Sequence, residues 1–159
     1  GRLGKGECAM ENRDLERAKQ LLLQEGWACV LCRGEELHTG TAHGVRPLLQ
    51  FLESGTDLQD FSAADRVIGK AAALLLLYAG VKAVYSPTMS EEALRVLREH
   101  GVSASCDQTV PGILNRTKTG PCPMEACVAE IEDPQKAFFA LREKAAAMRA
   151  AAKPAPDSM

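Results

Sequence analysis

The stretch from residue 62 to residue 79 has the sequence SAADRVIGKAAALLLLYA, and its second half is apolar on every side. A helix that is apolar all round must be covered by protein on every face. The run is too short to cross a bilayer, and Lys70 interrupts it. We therefore predict one buried central helix over residues 62–79. A capping box of Ser62 and Asp65 begins this helix and Gly80 ends it.

The segments on either side of this helix alternate between helix and strand patterns. Strands separated by helices favour parallel pairing with right-handed crossovers and helices on both faces of the sheet. The predicted fold class is therefore α/β, a three-layer α/β/α sandwich with a mixed sheet of about four strands. Its predicted helices cover 12–26, 45–53, 62–79, 91–100 with Ser90 as N-cap, one from Pro123 and one from Pro134; its strands cover 27–33, 36–41, 81–86 and 102–110.

Length and composition indicate one globular domain. The chain has 159 residues, 46% of them apolar and 25% charged. A net charge of −2 and 4% aromatic residues argue against a nucleic-acid polymer as partner. No signal peptide or membrane span is visible, so we expect a cytoplasmic protein without membrane contacts and leave a homo-oligomer open. We expect residues 1–9 to be a disordered leader or a frayed end, residues 10–146 to be the single domain and residues 147–159 to be a flexible tail.

The cysteines and histidines do not form a metal-binding pattern. The chain has six cysteines, and without an export signal we expect them to be reduced. Cys29 and Cys32 form a CxxC, but they fall in a predicted strand, where their spacing sends them to opposite faces. The histidines His38, His43 and His100 share no ligand spacing. We therefore expect no metal site and no cofactor.

The polar loop before Pro121 is the strongest candidate for a ligand site. Its residues 115–119 are Asn115, Arg116, Thr117, Lys118 and Thr119, and Gly120 follows them. Cys122 is predicted as the N-cap of the next helix, with Glu125 three residues later. The positive end of a helix favours a thiolate and binds anions. The alternative is a solvated loop with a capping cysteine.

Three longer strings resemble a known family. They are FSAADRVIGKAAA from residue 61, VKAVYSPTMSEEALRVLREHG from residue 81 and NRTKTGPCPMEACVAEIEDPQKAF from residue 115. Together they are similar to a small family of bacterial and archaeal proteins that is classed as a domain of unknown function with a cytidine deaminase-like fold. The resemblance covers about residues 12–144 and implies that fold, but it brings no established reaction.

The resemblance also permits a comparison with the zinc motifs of deaminases. Zinc deaminases begin one helix with Cys/His-Ala-Glu and the next with Pro-Cys-x-x-Cys. Residues 63–66 are similar in position to the first motif, and Ser90 and Ala93 stand where the second motif has cysteines. Without the zinc ligands there is no zinc-bound hydroxide to attack the base. The resemblance therefore implies the fold without zinc-dependent deamination, and a stoichiometric zinc would contradict this interpretation.

The deaminase-like arrangement implies a cleft at the carboxyl ends of the strands, where open α/β sheets bind ligands. We predict that a small anionic or nucleotide-like ligand binds there. The predicted binding residues are Lys70, Asn115, Arg116, Thr117, Thr119 and Glu125.

Two functions are compatible with such a cleft. If the protein is an enzyme, it is metal-free, with Cys122 as nucleophile and Asp65 as base or orienting group. The capping box alone also explains Asp65, which favours a purely structural role for that residue. The alternative function is a catalytically inactive interaction or regulatory domain, with the polar loop as its partner surface.

Overall fold

The computed structural model describes residues 2–42, 44–115 and 117–152. Gly1, His43, Arg116 and residues 153–159 therefore lie outside the described residues. The described chain contains helices α1 (Arg2–Glu25), α2 (Arg46–Glu53), α3 (Lys70–Ala79), α4 (Glu91–Glu99), α5 (Pro123–Cys127) and α6 (Pro134–Ala152). Its strands are β1 (Cys29–Arg33), β2 (Glu36–Gly40), β3 (Ser62–Asp65), β4 (Val67–Ile68), β5 (Ala83–Ser90) and β6 (Ser103–Val110).

The strands form one mixed sheet. β1 pairs antiparallel with both β2 and β3, whereas β3, β4 and β6 all run parallel to β5. β3 pairs with the first part of β5 and β4 with a later part, so together they act as one strand interrupted at Arg66. Helices cover both faces of the sheet. This architecture confirms the predicted α/β/α sandwich, with six strand segments instead of about four.

The predicted helix over residues 62–79 was wrong in its first part, because residues 62–68 form β3 and β4. The predicted capping box of Ser62 and Asp65 therefore does not exist. Both residues lie in the central strand of the sheet, which has partners on both sides. The pairing with β1 and β5 overrides the helical propensity of the alanines. α3 begins only at Lys70, after Gly69 in an extended conformation, and ends at Gly80 with φ of 86°.

The second part of the prediction is confirmed, since residues 70–76 of α3 are all buried. Around them packs the larger of two apolar clusters, which also contains Cys29 and side chains from α2, α4 and α6. The smaller cluster lies between α1 and the other face of the sheet and contains Cys32. The CxxC cysteines therefore lie on opposite faces of the sheet, as predicted.

Local signals placed several other elements correctly. The hairpin of β1 and β2, helix α4 with Ser90 as its N-cap, and strand β6 all lie within two residues of their predicted limits. β5 is an exception, because it continues past Pro87. Pro87 is skipped in the pairing with β6, and the hydroxyl of Ser86 donates to the carbonyl of Thr88 at 2.7 Å. The register with β6 is the same on both sides of Pro87, so the strand continues without a bulge past a residue that has no N–H.

The predicted limits of the domain, residues 10 and 146, stay a prediction. Helix α1 begins at Arg2 and helix α6 continues to Ala152. Across the part of the chain that the structure describes, no helix is both long enough and apolar enough to cross a membrane.

Candidate functional site

A cleft of about 320 Å³ lies at the N-termini of α3 and α4. Both helices begin at the carboxyl ends of parallel strands, so the cleft lies at the edge of the sheet where the resemblance implied one. The outer wall of the cleft is formed by residues 111–114, which follow β6, and by Glu125 of α5. Its walls are mainly apolar, and the lining residues are Lys70, Ser90, Glu92, Pro111, Gly112, Ile113, Leu114, Gly120, Pro121, Glu125 and Ala129.

Glu125 caps α3 from a distant part of the chain. Its Oε1 accepts the backbone N–H of Lys70 at 2.8 Å, and its Oε2 accepts that of Ala71 at 2.9 Å. A carboxylate at this position satisfies N–H groups that have no partner inside the helix. Burial raises the pKa of Glu125, and the two backbone hydrogen bonds oppose that rise. The anion-binding end of α3 is thus already occupied by a side chain of the protein itself.

The ammonium group of Lys70 is buried, and its partners lie in the same segment of chain as Glu125. Its Nζ lies 2.7 Å from a carboxylate oxygen of Glu132 and donates to the carbonyl of Ala129 at 3.1 Å. Arg95 on α4 donates to both carboxylate oxygens of Glu132, each at 3.0 Å, and one of them is the oxygen that Lys70 contacts. Hydrogen bonds from Arg95 and Lys70 lower the pKa of Glu132 to about 2. The positive charge of Lys70 is therefore compensated inside the protein.

The N-terminus of α4 is also satisfied internally. The Ser90 hydroxyl accepts the backbone N–H of Ala93 at 3.0 Å. Glu92, in the first turn, forms two hydrogen bonds of 2.8 Å with Arg95. Two carboxylates, those of Glu92 and Glu125, thus face the cleft together with one compensated lysine.

The polar loop uses its donors and acceptors on itself. Asn115 Oδ1 accepts the backbone N–H of Thr119 at 3.0 Å and the hydroxyl of Thr117 at 3.2 Å. Asn115 Nδ2 donates to Thr119 Oγ1 at 3.2 Å. These three predicted ligand-binding residues stabilise the turn at Lys118, whose φ is 59°. They do not line the cleft, and the predicted Arg116 lies outside the described residues.

Cys122 is the N-cap of α5, as predicted, but its side chain forms no capping hydrogen bond. Its backbone N–H donates to the carbonyl of Ile113 at 3.0 Å, which closes the loop. The thiol is partly buried and is not among the residues that line the cleft.

Asp65 lies at the end of β3, opposite Cys29 of β1. Burial raises its pKa to about 7, and hydrogen bonds from the backbone N–H groups of Val67 and Arg66 and from the Cys29 thiol oppose that rise. Asp65 does not line the cleft. The structure therefore places Lys70 and Glu125 together, and it does not bring Asp65, Asn115 and Cys122 into the same cavity.

Arg66 lies between β3 and β4. Its guanidinium donates to the carbonyl of Leu22 at 2.6 Å and to that of Trp27 at 2.9 Å. Arg66 therefore closes the C-terminal end of α1.

The comparison with the zinc motifs also needs correction, because residues 63–65 lie in β3 and Arg66 in the bend that follows, not at the start of a helix. The first turn of α3 is formed instead by Lys70 and three alanines. Among the residues that the structure describes, no three His, Cys, Asp or Glu side chains are grouped so that they could hold a metal ion.

Sequence reasoning missed Ser90 as a lining residue and the pair Arg95–Glu132 as an anchor. The pattern Glu92-x-x-Arg95 predicts a pair on one helix face. No local signal connects Arg95 with Glu132, because 37 residues separate them.

A second cavity, of about 480 Å³, lies at the opposite edge of the sheet, between the C-terminal ends of α3 and α4. It is open and polar, and Lys82 and His100 are among the residues that line it.

By its fold and its cleft, the protein belongs to the class of α/β/α sandwich domains that have a small cleft at the N-termini of two helices. Within that class, the family model described as TM1506, domain of unknown function (DUF1893), matches residues 17–145. The chain belongs to the DUF1893 family. No curated protein matches the chain.

Two crystal structures from Thermotoga maritima can be compared with this chain. The DUF1893 family protein TM1506 has a TM-score of 0.76 and 24% identity, covering 83% of this chain and 90% of that one. This likeness shows the fold. A diaminohydroxyphosphoribosylaminopyrimidine deaminase/5-amino-6-(5-phosphoribosylamino)uracil reductase has a TM-score of 0.37 and 16% identity, covering 62% of this chain and 36% of that one. A TM-score this low supports no conclusion, so the deaminase-like fold stays a prediction.

Proposed function

We propose that the protein binds a small, uncharged ligand of nucleobase or nucleoside size in the cleft at the N-termini of α3 and α4. The observation that carries this proposal is the cleft itself, about 320 Å³ with mainly apolar walls and a few polar groups. Ligand sites usually have volumes of about 300–1,000 Å³ and this kind of lining. The position supports it too, because open α/β sheets bind ligands outside the carboxyl ends of their strands.

The charges around the cleft favour an uncharged ligand over the anionic one expected from the sequence. An anion at α3 would have to replace Glu125, which already accepts the N–H groups of Lys70 and Ala71. Lys70 is compensated by Glu132. Glu92 and Glu125 instead offer acceptors to a ligand that carries N–H or O–H groups. A phosphate would meet like charge at both residues.

Catalysis by Cys122 is not needed for this function and remains a separate hypothesis. It requires Asp65 or another base to approach the thiol. Alkylation of Cys122 by iodoacetamide that abolishes turnover of a ligand found for the cleft would support the enzyme. Alkylation without effect would leave a binding protein.

The test is a thermal-shift comparison of nucleobases, nucleosides and their 5′-monophosphates. A ligand that binds only the folded state raises the melting temperature by mass action. Leu114, which is 54% exposed and lines the cleft, is changed to alanine. The matched control is Leu37→Ala, because Leu37 is also exposed, at 38%, but lies on β2 away from the cleft.

We expect nucleobases or nucleosides to raise the melting temperature of the wild type and of Leu37→Ala, and to act more weakly on Leu114→Ala. Monophosphates that stabilise the protein where the nucleosides do not would instead support the anionic ligand. If no compound shifts the wild type, the proposed function fails and the interaction or regulatory domain becomes the better interpretation.

A further inference from the structure

Residues 121–133, here called the strap, cross the N-terminus of α3 and join the polar loop to α6. The strap contains α5, which has no buried residue. Its one fully buried side chain is Val128. Segments with few buried apolar contacts open at a lower free energy than the core. Besides Val128, the partly buried side chains of Met124, Cys127 and Ile131 pack against the larger apolar cluster, so this packing and the polar contacts together attach the strap.

These polar contacts converge on one residue, Lys70. Glu125 binds its backbone N–H, while the carbonyl of Ala129 and the carboxylate of Glu132 bind its ammonium group. The Lys70 side chain is 6% exposed, and these two strap groups are its partners in the described chain. Removing one partner of a buried ion pair strongly destabilises the folded protein, because the other charge stays buried without compensation. Lys70 and the strap thus stabilise each other.

Glu132 has a second anchor on α4. Arg95 binds both of its carboxylate oxygens, and the two side chains are 35% and 56% exposed. The strap is thus fastened to α3 by Glu125 and to α3 and α4 together by Glu132. Because Glu125 and Ala129 also line the cleft, movement of the strap changes access to it.

We propose that the strap is a lid that opens and closes over the cleft as one unit, released when Glu132 leaves Lys70 and Arg95. Its use for admitting a ligand rests on the proposed function, whereas the opening itself does not require any ligand.

Opening of the strap can be measured at one of its own residues, the cysteine Cys127. Cys127 is partly buried against the larger apolar cluster, and burial raises the pKa of its thiol. Iodoacetamide labelling, resolved by peptide mass spectrometry, measures how often this thiol is exposed. Cys29 and Cys32 are buried in the sheet and report global unfolding in the same sample.

The test compares Glu132→Gln with Glu99→Gln. Glu99 also binds Arg95, at 3.1 Å, but it lies on α4 and not on the strap. In Glu132→Gln we expect Cys127 to react about tenfold faster, which corresponds to about 1.4 kcal/mol. In Glu99→Gln we expect the rate of the wild type, and in both variants unchanged rates at Cys29 and Cys32.

Two results would overturn the inference. One is an unchanged Cys127 rate in Glu132→Gln. The other is a rate that rises in parallel at Cys127, Cys29 and Cys32, because the strap then opens only with the whole domain. Independently of any variant, raising NaCl from about 0.05 to about 0.5 M should speed Cys127 labelling in the wild type, since salt screens exposed ion pairs. If the labelling results show that the strap opens but no ligand is found for the cleft, this inference stands and the proposed function fails.

Discussion

Gly69 makes room for the carboxylate of Glu125: a Cβ atom on Gly69 would lie 2.6 Å from the carboxylate carbon and from both oxygens. Real Cβ atoms do not approach other atoms so closely, so an alanine at position 69 would displace the flexible end of the Glu125 side chain from its present position. The φ of Gly69 is −101°, which other residues also adopt. The glycine is therefore required by the approach of Glu125 and not by the backbone conformation.

Gly69→Ala is expected to push Glu125 off the N-terminus of α3 and to lower the free energy of unfolding by about 1–2 kcal/mol, the usual cost of losing a helix cap. Urea denaturation measures the change. The control is Gly112→Ala, where an added Cβ has no atom within 4 Å.

Combining Gly69→Ala with Glu125→Ala extends this prediction. Both changes remove the same interaction, so the double variant should be little less stable than either single one. Fully additive losses would show that Gly69 and Glu125 act independently.

Ser62 and Ser90 are both buried serines, and we expect opposite results when each is changed to alanine. The Ser62 hydroxyl has no hydrogen-bond partner in the described chain, so removing it should be neutral or stabilise the protein by up to about 1 kcal/mol. Ser90→Ala removes the N-cap of α4 and should cost about 1 kcal/mol. Thermal and urea denaturation of both variants provide the measurement, and a clear loss for Ser62→Ala would reveal a partner for its hydroxyl.

Titration of Asp65 should lower the free energy of unfolding as the pH rises. Its pKa is raised by burial from 3.8 to about 7, so the folded state holds this proton more tightly than the unfolded state does. The stabilising contribution of the protonated form is complete below pH 3.8 and is lost as the pH rises through about 7.

Asp65→Asn keeps the shape and removes this titration. Relative to the wild type, the variant should gain stability between pH 4 and pH 8, by on the order of 4 kcal/mol at most. Urea denaturation across this pH range tests the prediction. Parallel curves for the two proteins would mean that Asp65 stays charged throughout.

Arg66→Ala should destabilise the protein by about 1–3 kcal/mol, since the carbonyls of Leu22 and Trp27 lose a charged donor. Arg66→Lys should recover only part of the loss, because an ammonium group cannot reproduce the planar fork of the guanidinium. Complete rescue by lysine would show that charge matters here and geometry does not.

The parts of the fold that the sequence predicted are those fixed by local signals. Gly34 and Glu35 mark the turn between β1 and β2, and Ser90 followed by two glutamates marks the start of α4. Residues 62–68 have no such signal. Alanine favours a helix, and only pairing with β1 and β5, which are distant in sequence, makes this segment a strand.

Only part of the lining of the cleft could be predicted from the sequence, and whether the cleft binds a ligand is a proposal. Lys70 and Glu125 were both expected to bind a ligand, and both line the cleft. They also bind each other across 55 residues of sequence, which no local pattern indicates. Asn115, Thr117 and Thr119 were chosen because donors are dense in that loop, but a dense set of donors and acceptors can also satisfy itself.

The end of α1 depends on a residue that is synthesised much later. Arg66 follows Leu22 by 44 positions. On the ribosome, the carbonyls of Leu22 and Trp27 lack the guanidinium donor until Arg66 has left the exit tunnel. The C-terminal end of α1 therefore lacks these contacts while the chain emerges, and it acquires them together with the centre of the sheet.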